Sequence, residues 1–583
     1  MSLTGCWTRS TGLAHVVSRT LSATLREAGS PDGTLFLIGH SFVPDSQLTQ
    51  ACAAMSRTND VGATDGWPGC HSSLLVTRSG AVLLADPVGQ FPLFVAEKAD
   101  AVWFGTDSAR LAQLTGAALD EISVAAVLAC PESGEPVRTR SMYRGIRRVP
   151  PGHVLSIGPS GILERPHSVL RPDPEMTVVE SAEWLRAALS TAVRARTLSP
   201  YRLTFDLSGG LDSTSLTVLA AGELGELDSF TSVNPAAPVT DDVEFAGRHV
   251  RSVTGIRHHL VPAGAEHLPY QVLGPTGDWP HGSSLAMGAL RARLTRAVEF
   301  GSQAHVTGEG GDVVLKAPAA YLADLARHGE LVRLWSDCVA WARLRGRTPL
   351  ALVGRALTLS RTTRRRALGD LAKDVAAGHP IGADSWEADR IAHWRRPSAQ
   401  WLTPSARRSL AAHIRDTADH LAEDDELDPG DAVTRELVRQ QTLTLRTVRA
   451  VGAEFGVDMH APFMDTEVVR ACLSLPARRR ADPRTPKPLL RAALAGLVPT
   501  AVLARTTKGD YTRDMYLGVR RAAPALRRML TESVAADLGI LEPGPVRGVL
   551  EEAIQGLPAP WGALHHVFAV EAWLREREEG DRP

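Results

Sequence analysis

Lysine is scarce in this 583-residue chain. Of 64 basic residues only five are lysine, Lys98, Lys316, Lys373, Lys487 and Lys508, and arginine supplies the rest. A compact ammonium and a planar guanidinium are not interchangeable, so a retained lysine marks either chance or a place that needs the point charge. Charge of one sign is also lacking: 64 basic residues face 65 acidic ones for a formal charge of −1. Nothing global therefore points to a nucleic-acid or membrane partner. The six cysteines, Cys6, Cys52, Cys70, Cys130, Cys338 and Cys472, contain no Cys-x-x-Cys pair, which argues against a zinc site or a disulfide framework and for reduced, structural thiols. No apolar run approaches the ~20 residues of a membrane span. The first thirty residues carry Arg9, Arg19 and Arg26 without an apolar core of signal-peptide length. The expectation is a soluble, cytoplasmic protein with no membrane span.

The length exceeds the ~250–300 residues at which single cores stop growing, so two or more domains are expected. From Thr34 to about Leu155 short apolar runs alternate with turn signals, with hairpin-like spacing around Ser79-Gly80 and Glu97 to Asp100. This half reads as an α+β unit of antiparallel strands. "RPDPE" (Arg171 to Glu175) breaks the chain, and helical spacing follows from Thr177 to Ala195. The domains are therefore placed at 1–172 and 173–583. In the second, strands at Tyr201–Leu207, Ser229–Val233, before Pro262 and at His305–Thr307 alternate with helices at Thr214–Ala221 and Asp242–Gly255. That alternation implies a doubly wound parallel sheet. Ala319 to about Leu475 reads as overwhelmingly helical, with loops near Pro380 and Pro429. The arginine cluster "SRTTRRR" (Ser360 to Arg366) reads as a solvated helix face or turn, with a peptide- or leader-binding patch as the alternative.

Two stretches carry the chemistry. "SGGLDS" (Ser208 to Ser213) follows a strand and opens a helix. Gly209 and Gly210 let backbone N–H groups approach phosphate oxygens, Ser208 and Ser213 add hydroxyls, and the helix N-terminus favours negative charge. It is not a Walker A loop, because no lysine occurs between Lys98 and Lys316. An acid at Asp212 would repel phosphate unless a bridging Mg²⁺ lies between them. "GEGGD" (Gly308 to Asp312) follows the strand at His305–Thr307; Asp312 completes the magnesium site and Glu309 faces the reacting centre. Both stretches lie at the carboxyl ends of parallel strands, where doubly wound sheets bind ligands. Lys487 and Lys508 are expected on a flexible C-terminal loop, supplying positive charge to a leaving pyrophosphate and to a developing oxyanion.

With "LLADPVGQFPLF", "VPPGHVL", "SGGLDS", "GEGGD", "APFMD" and "RTTKGDY" in place, the sequence resembles the asparagine-synthetase family of PP-loop ATP pyrophosphatases. The resemblance implies an N-terminal glutaminase-like (Ntn-type) sandwich and a C-terminal α/β synthetase domain with large helical additions. It implies ATP and Mg²⁺, adenylation of a carboxylate and capture of the acyl group by an amine. Ser208, Gly209, Gly210, Leu211, Asp212 and Ser213 would bind pyrophosphate, Asp212 and Asp312 the metal, Leu207, Val233 and Gly308 the adenosine. Lys508 would be the catalytic lysine, Glu309 the acceptor of the amine's proton, and Lys487 a clamp on pyrophosphate.

The chain departs from glutamine-dependent members in beginning "MSLTG", with Ser2 where those carry the nucleophilic cysteine. The N-terminal domain is thus expected to be a degenerate scaffold. Arg449-Ala450 stands where asparagine synthetases carry an Asp-Arg pair in the substrate site. The substrate must then provide its own amine, and the stretch from "GEGGDVVLKAP" to "SAQWLTP" resembles the lasso peptide cyclases. That branch implies a leaderless precursor peptide as substrate, with a leader peptidase and a leader-binding protein as partners. A β-lactam synthetase-like or asparagine-synthetase-like ligase is the alternative, and a non-catalytic maturation scaffold a further one.

Overall fold

The computed structural model describes residues 2–19, 24–58, 61–235, 241–274, 277–379, 390–421, 427–505 and 512–580. Among the described residues, eleven strands precede residue 167: β1 (Leu3–Thr8), β2 (Leu13–Arg19), β3 (Leu25–Ser30), β4 (Gly33–Ser41), β5 (Gly69–Thr77), β6 (Gly80–Leu84), β7 (Phe94–Lys98), β8 (Ala101–Gly105), β9 (Ile146–Arg148), β10 (His153–Gly158) and β11 (Gly161–Pro166). They form two antiparallel sheets, ordered β2-β1-β8-β7-β9 and β11-β10-β6-β5-β4-β3. Both expected hairpins are present, with Thr77 opposite Gly80 and Lys98 opposite Ala101. The apolar runs of Phe36, Leu74, Leu83, Val95, Val102 and Phe104 face a shared core, which is why these segments pair as a sandwich.

After a stretch without regular structure, the helix Val178–Thr197 begins at a reciprocal cap between Thr177 and Glu180. The third sheet contains β12 (Leu203–Asp206), β13 (Leu227–Val233), β14 (Ile256–Pro262), β15 (Ala304–Val306) and β16 (Asp458–His460), in the order β14-β13-β12-β15-β16. All four pairings are parallel. The order reverses between β12 and β15, so the topological switch point lies there.

Among its described residues, the span Ala319 to Leu475 is overwhelmingly helical as expected, and the exception is β16, which closes one edge of the sheet; three residues are too short for periodicity to reveal. The loop near Pro429 is present at Leu427 and Asp428, and Pro429 itself opens the helix Pro429–Glu454, because proline's missing N–H is harmless in a first turn. Residues before Thr34, given no structure from sequence, supply β1, β2 and β3. "SRTTRRR" is the end of one helix and the first turn of the next, capped by Thr363. Pro380 lies outside the described residues. All six cysteines are free and buried, and among the described residues no helix is long and apolar enough to cross a membrane.

One buried cluster runs through both halves, from Leu3 and Phe104 of the sandwich to Leu185, Phe205, Phe463 and Leu490 of the C-terminal half. Arg196 and Asp465 add a bidentate pair at 2.7 and 2.8 Å within the buried C-terminal core.

Candidate active site at the switch point

β12 and β15 lie side by side, with Phe205 opposite Val306, so the turns that follow them must meet. "SGGLDS" leaves β12 and enters the helix Leu211–Leu224. Gly209 takes φ 72°, a left-handed conformation open to glycine, and Gly210 is the N-cap. The Ser213 hydroxyl accepts from Ser208 N–H at 3.1 Å and lies 2.9 Å from Ser208 Oγ, closing the turn on itself. "GEGGD" leaves β15, with Gly310 at φ 91°.

The two turns are in van der Waals contact, which explains two further glycines. A Cβ on Gly308 would stand 2.7 Å from Ser213 N, and one on Gly311 would collide with the Asp212 carboxyl carbon. Asp212 and Asp312, a hundred positions apart in the chain, converge on one ammonium. Lys487 Nζ contacts Asp212 Oδ2 in a short ion pair and lies 2.7 Å from Asp312 Oδ1. Lys316 Nζ reaches the same Asp312 oxygen at 2.7 Å. Burial pushes the Asp212 carboxyl up more than Lys487 draws it down, and the neighbouring Asp312 adds to the rise. Asp212 Oδ1 is buried with no hydrogen-bond partner.

Lys487 was expected on a flexible loop. It is instead 6% exposed and holds a left-handed backbone (φ 51°) as the N-cap of the helix Pro488–Leu494. A non-glycine residue in that region is uncommon, and the ion pair with two carboxylates is what the conformation achieves.

A cavity of about 480 Å³ opens over these turns. Ser208, Gly210, Leu211, Asp212, Ser213, Gly308, Glu309, Asp312 and Lys487 all line it. Leu207, Gly209 and Val233 do not: the Leu207 side chain is fully buried, Gly209 sits within the turn, and Val233 ends β13. Lys508 lies outside the described residues. Glu309 Oε2 accepts from Gln441 Nε2 at 2.8 Å. At the far wall Arg293 Nε sits 2.8 Å from Asp206 Oδ1 and its Nη1 donates to Ser232 Oγ at 2.9 Å. Burial raises the Asp206 carboxyl, but Arg293 and the His305 ring at 3.0 Å outweigh it and hold it well below the usual range.

Sequence reasoning missed Lys316, Gln441, Arg293, Asp206 and Arg505, which also line the cavity. Lys316 had a signal, since it stands four residues after Asp312, the spacing at which a lysine reaches back to a carboxylate one turn earlier. Gln441 and Arg293 come from distant elements and had none. Arg449 is not in this cavity: its guanidinium lies 4.3 Å over the Phe91 ring of the N-terminal half.

Two carboxylates that meet one cation, with an orphaned buried oxygen on one of them and glycines where side chains would block approach, form a donor set that fits Mg²⁺. That ion is usually held by one or two carboxylates together with phosphate oxygens. Oxygen donors alone, without histidine or thiol, agree with the same hard cation.

Among solved structures, "Structure of the allosteric regulatory enzyme of purine biosynthesis" is similar at 13% identity, covering 53% of this chain and 80% of that one, with a TM-score of 0.20. The glutamine phosphoribosylpyrophosphate amidotransferase from B. subtilis complexed with ADP and GMP is similar at 13% identity, covering 53% and 75%, with a TM-score of 0.19. At such scores neither likeness carries an argument about this chain. No curated protein matches it. The family model described as asparagine synthase matches residues 184–575, which take in both glycine turns, Gln441 and Lys487. The chain therefore belongs to the asparagine synthase family, whose members are ATP-dependent amide-forming ligases.

Proposed function

We propose that this protein is an ATP-dependent lasso peptide cyclase. It activates an Asp or Glu side chain of a leaderless precursor peptide as the adenylate and joins it to the peptide's N-terminal amine, releasing AMP and pyrophosphate. The observation that carries the ligase reading is the convergence of Asp212, Asp312 and Lys487 beneath one cavity at the switch point. The cyclase reading rests on the resemblance of the C-terminal half to the lasso peptide cyclases and on Arg449, which is engaged with Phe91 instead of lining the cavity.

The roles follow from position. The "SGGLDS" turn and the N-terminus of the helix Leu211–Leu224 receive the phosphates. Asp212 and Asp312 would hold Mg²⁺, which when bound offsets the charge of the departing pyrophosphate. Lys487 keeps the two carboxylates together and presents a cation to the same phosphates. Glu309, held by Gln441, stands at the cavity edge as acceptor of the amine's proton. Lys508 is the cation for the acyl oxyanion, a role that the resemblance implies. An internal, pre-folded amine can reach an effective molarity on the order of 10⁵ M or more, which favours ring closure over hydrolysis. A leader peptidase and a leader-binding protein would deliver the peptide in the cytoplasm.

Incubation of the purified protein with a leaderless core peptide, ATP and Mg²⁺ tests this. AMP should form in step with a product lighter by one water. AMP formation that needs glutamine or ammonia, and not the peptide, refutes it.

A further inference from the structure

A single buried glutamine of the N-terminal half grips two elements that bear on the "GEGGD" turn. Gln90 is 3% exposed and sits in the loop between β6 and β7. Its Nε2 donates to the Met464 carbonyl at 2.6 Å, and its Oε1 accepts a short hydrogen bond from Arg449 Nη2. The two partners fix the amide's orientation, because a flipped amide would set NH₂ against a guanidinium and C=O against a carbonyl.

Each partner leads to the "GEGGD" turn. The Met464 side chain fills the space beside Gly310, where a Cβ would strike Met464 Cγ. The same loop follows β16, whose His460 carbonyl accepts from Thr307 N–H at 2.9 Å, immediately before the turn. Arg449 lies on the helix Pro429–Glu454, and that helix also carries Gln441, the partner of Glu309. One side chain of the N-terminal half thus braces Asp312 and Glu309 from beneath by two routes, while itself standing outside the cavity.

We propose that Gln90 is a positioning residue for the ligase reaction, setting the Gly308–Asp312 turn through Met464 and Arg449. The inference rests on the ligase reading of the cleft, and it gives the N-terminal half a function: it holds the synthetase turn in register. A shape-conserving change to methionine removes both hydrogen bonds and keeps the bulk. Because the phosphates are received by the "SGGLDS" turn, which β12 and the helix Leu211–Leu224 hold in place, while the Gly308–Asp312 turn also carries Glu309, Gln90→Met should lower kcat for AMP formation at least tenfold and change the KM for ATP less than threefold.

Acting through another residue leaves a further signature, coupling. If Gln90 works through Met464, the kcat loss in the Gln90→Met/Met464→Leu double variant should fall at least fivefold short of the product of the two single losses. Arg449→Lys, which disturbs the other route, should show the same split between kcat and KM should the Gln90 variant fold poorly. Wild-type kcat in both Gln90→Met and Arg449→Lys, a loss confined to KM, or strictly multiplicative losses in the cycle would overturn the proposal. A wild-type protein that forms no AMP with any amine or peptide would instead overturn the ligase reading.

Discussion

Replacing Lys487 by methionine keeps the side chain's length and removes its charge. The wild-type ammonium is 6% exposed and answers two carboxylates, one largely buried and one about a third exposed. Breaking a buried ion pair by deleting one partner costs about 3–5 kcal/mol, because the other charge is left uncompensated. The Asp212 contact accounts for most of this; the Asp312 contact is discounted for solvent screening. Taking about 2 °C per kcal/mol for a large cooperative unit, the apparent Tm in EDTA should fall on the order of 5–10 °C. The two carboxylates left facing each other would then favour a divalent ion more than before. Mg²⁺ at about a hundredfold its Kd should return about 2.7 kcal/mol, and should raise the variant's Tm more than the wild type's. Differential scanning calorimetry in EDTA and in Mg²⁺ reads both effects. An unchanged Tm in EDTA, or an equal Mg²⁺ effect on the two proteins, refutes the picture of one cation joining two acids.

Gly311→Ala should reduce AMP formation at least a hundredfold, since its methyl displaces the Asp212 carboxyl, while overpacking lowers stability by only about 1–3 kcal/mol; near-normal turnover would show that the two turns need not touch. Gln441→Leu should slow turnover roughly tenfold by removing its hydrogen bond to Glu309, measured as steady-state AMP release, and an unaltered rate shows that this hydrogen bond does not serve the reaction. Lys508→Ala should abolish product at unchanged Tm. Burial holds His71, His258, His393, His460 and His565 down to about 4 and His281 to about 3. With folded pKa values below the unfolded ~6.5, these rings stabilise the fold above that pH and lose the contribution as pH falls toward 4. The urea midpoint should accordingly drop between pH 7 and 5, and a flat profile over that range contradicts the burial of neutral rings.

Much of the site could be read in the one-dimensional text because its chemistry is local. Ser208 to Ser213 and Gly308 to Asp312 each combine a strand end, glycines and an acid within six residues, and each lines the cavity. Strand alternation and turn residues likewise exposed two hairpins of the sandwich, β5 with β6 and β7 with β8. What the text could not carry are the pairings between distant positions. Periodicity reports which face of an element is apolar, not which residue stands opposite it; so the three-residue β16, the Gln441 support of Glu309 and the place of Arg293 beside Asp206 went unread.

Composition, motif spacing and the two glycine turns determined by themselves that this chain folds around a glycine-lined switch point with carboxylates at its mouth. Only the tertiary structure decided that Lys487 is a buried bridge and not a mobile arm, that Lys316 joins it on Asp312, and that Gln90 reaches across from the other half. The reason is physical: a side chain's charge is written in the sequence, but its energetic role depends on burial and on partners that the folded backbone alone brings within reach.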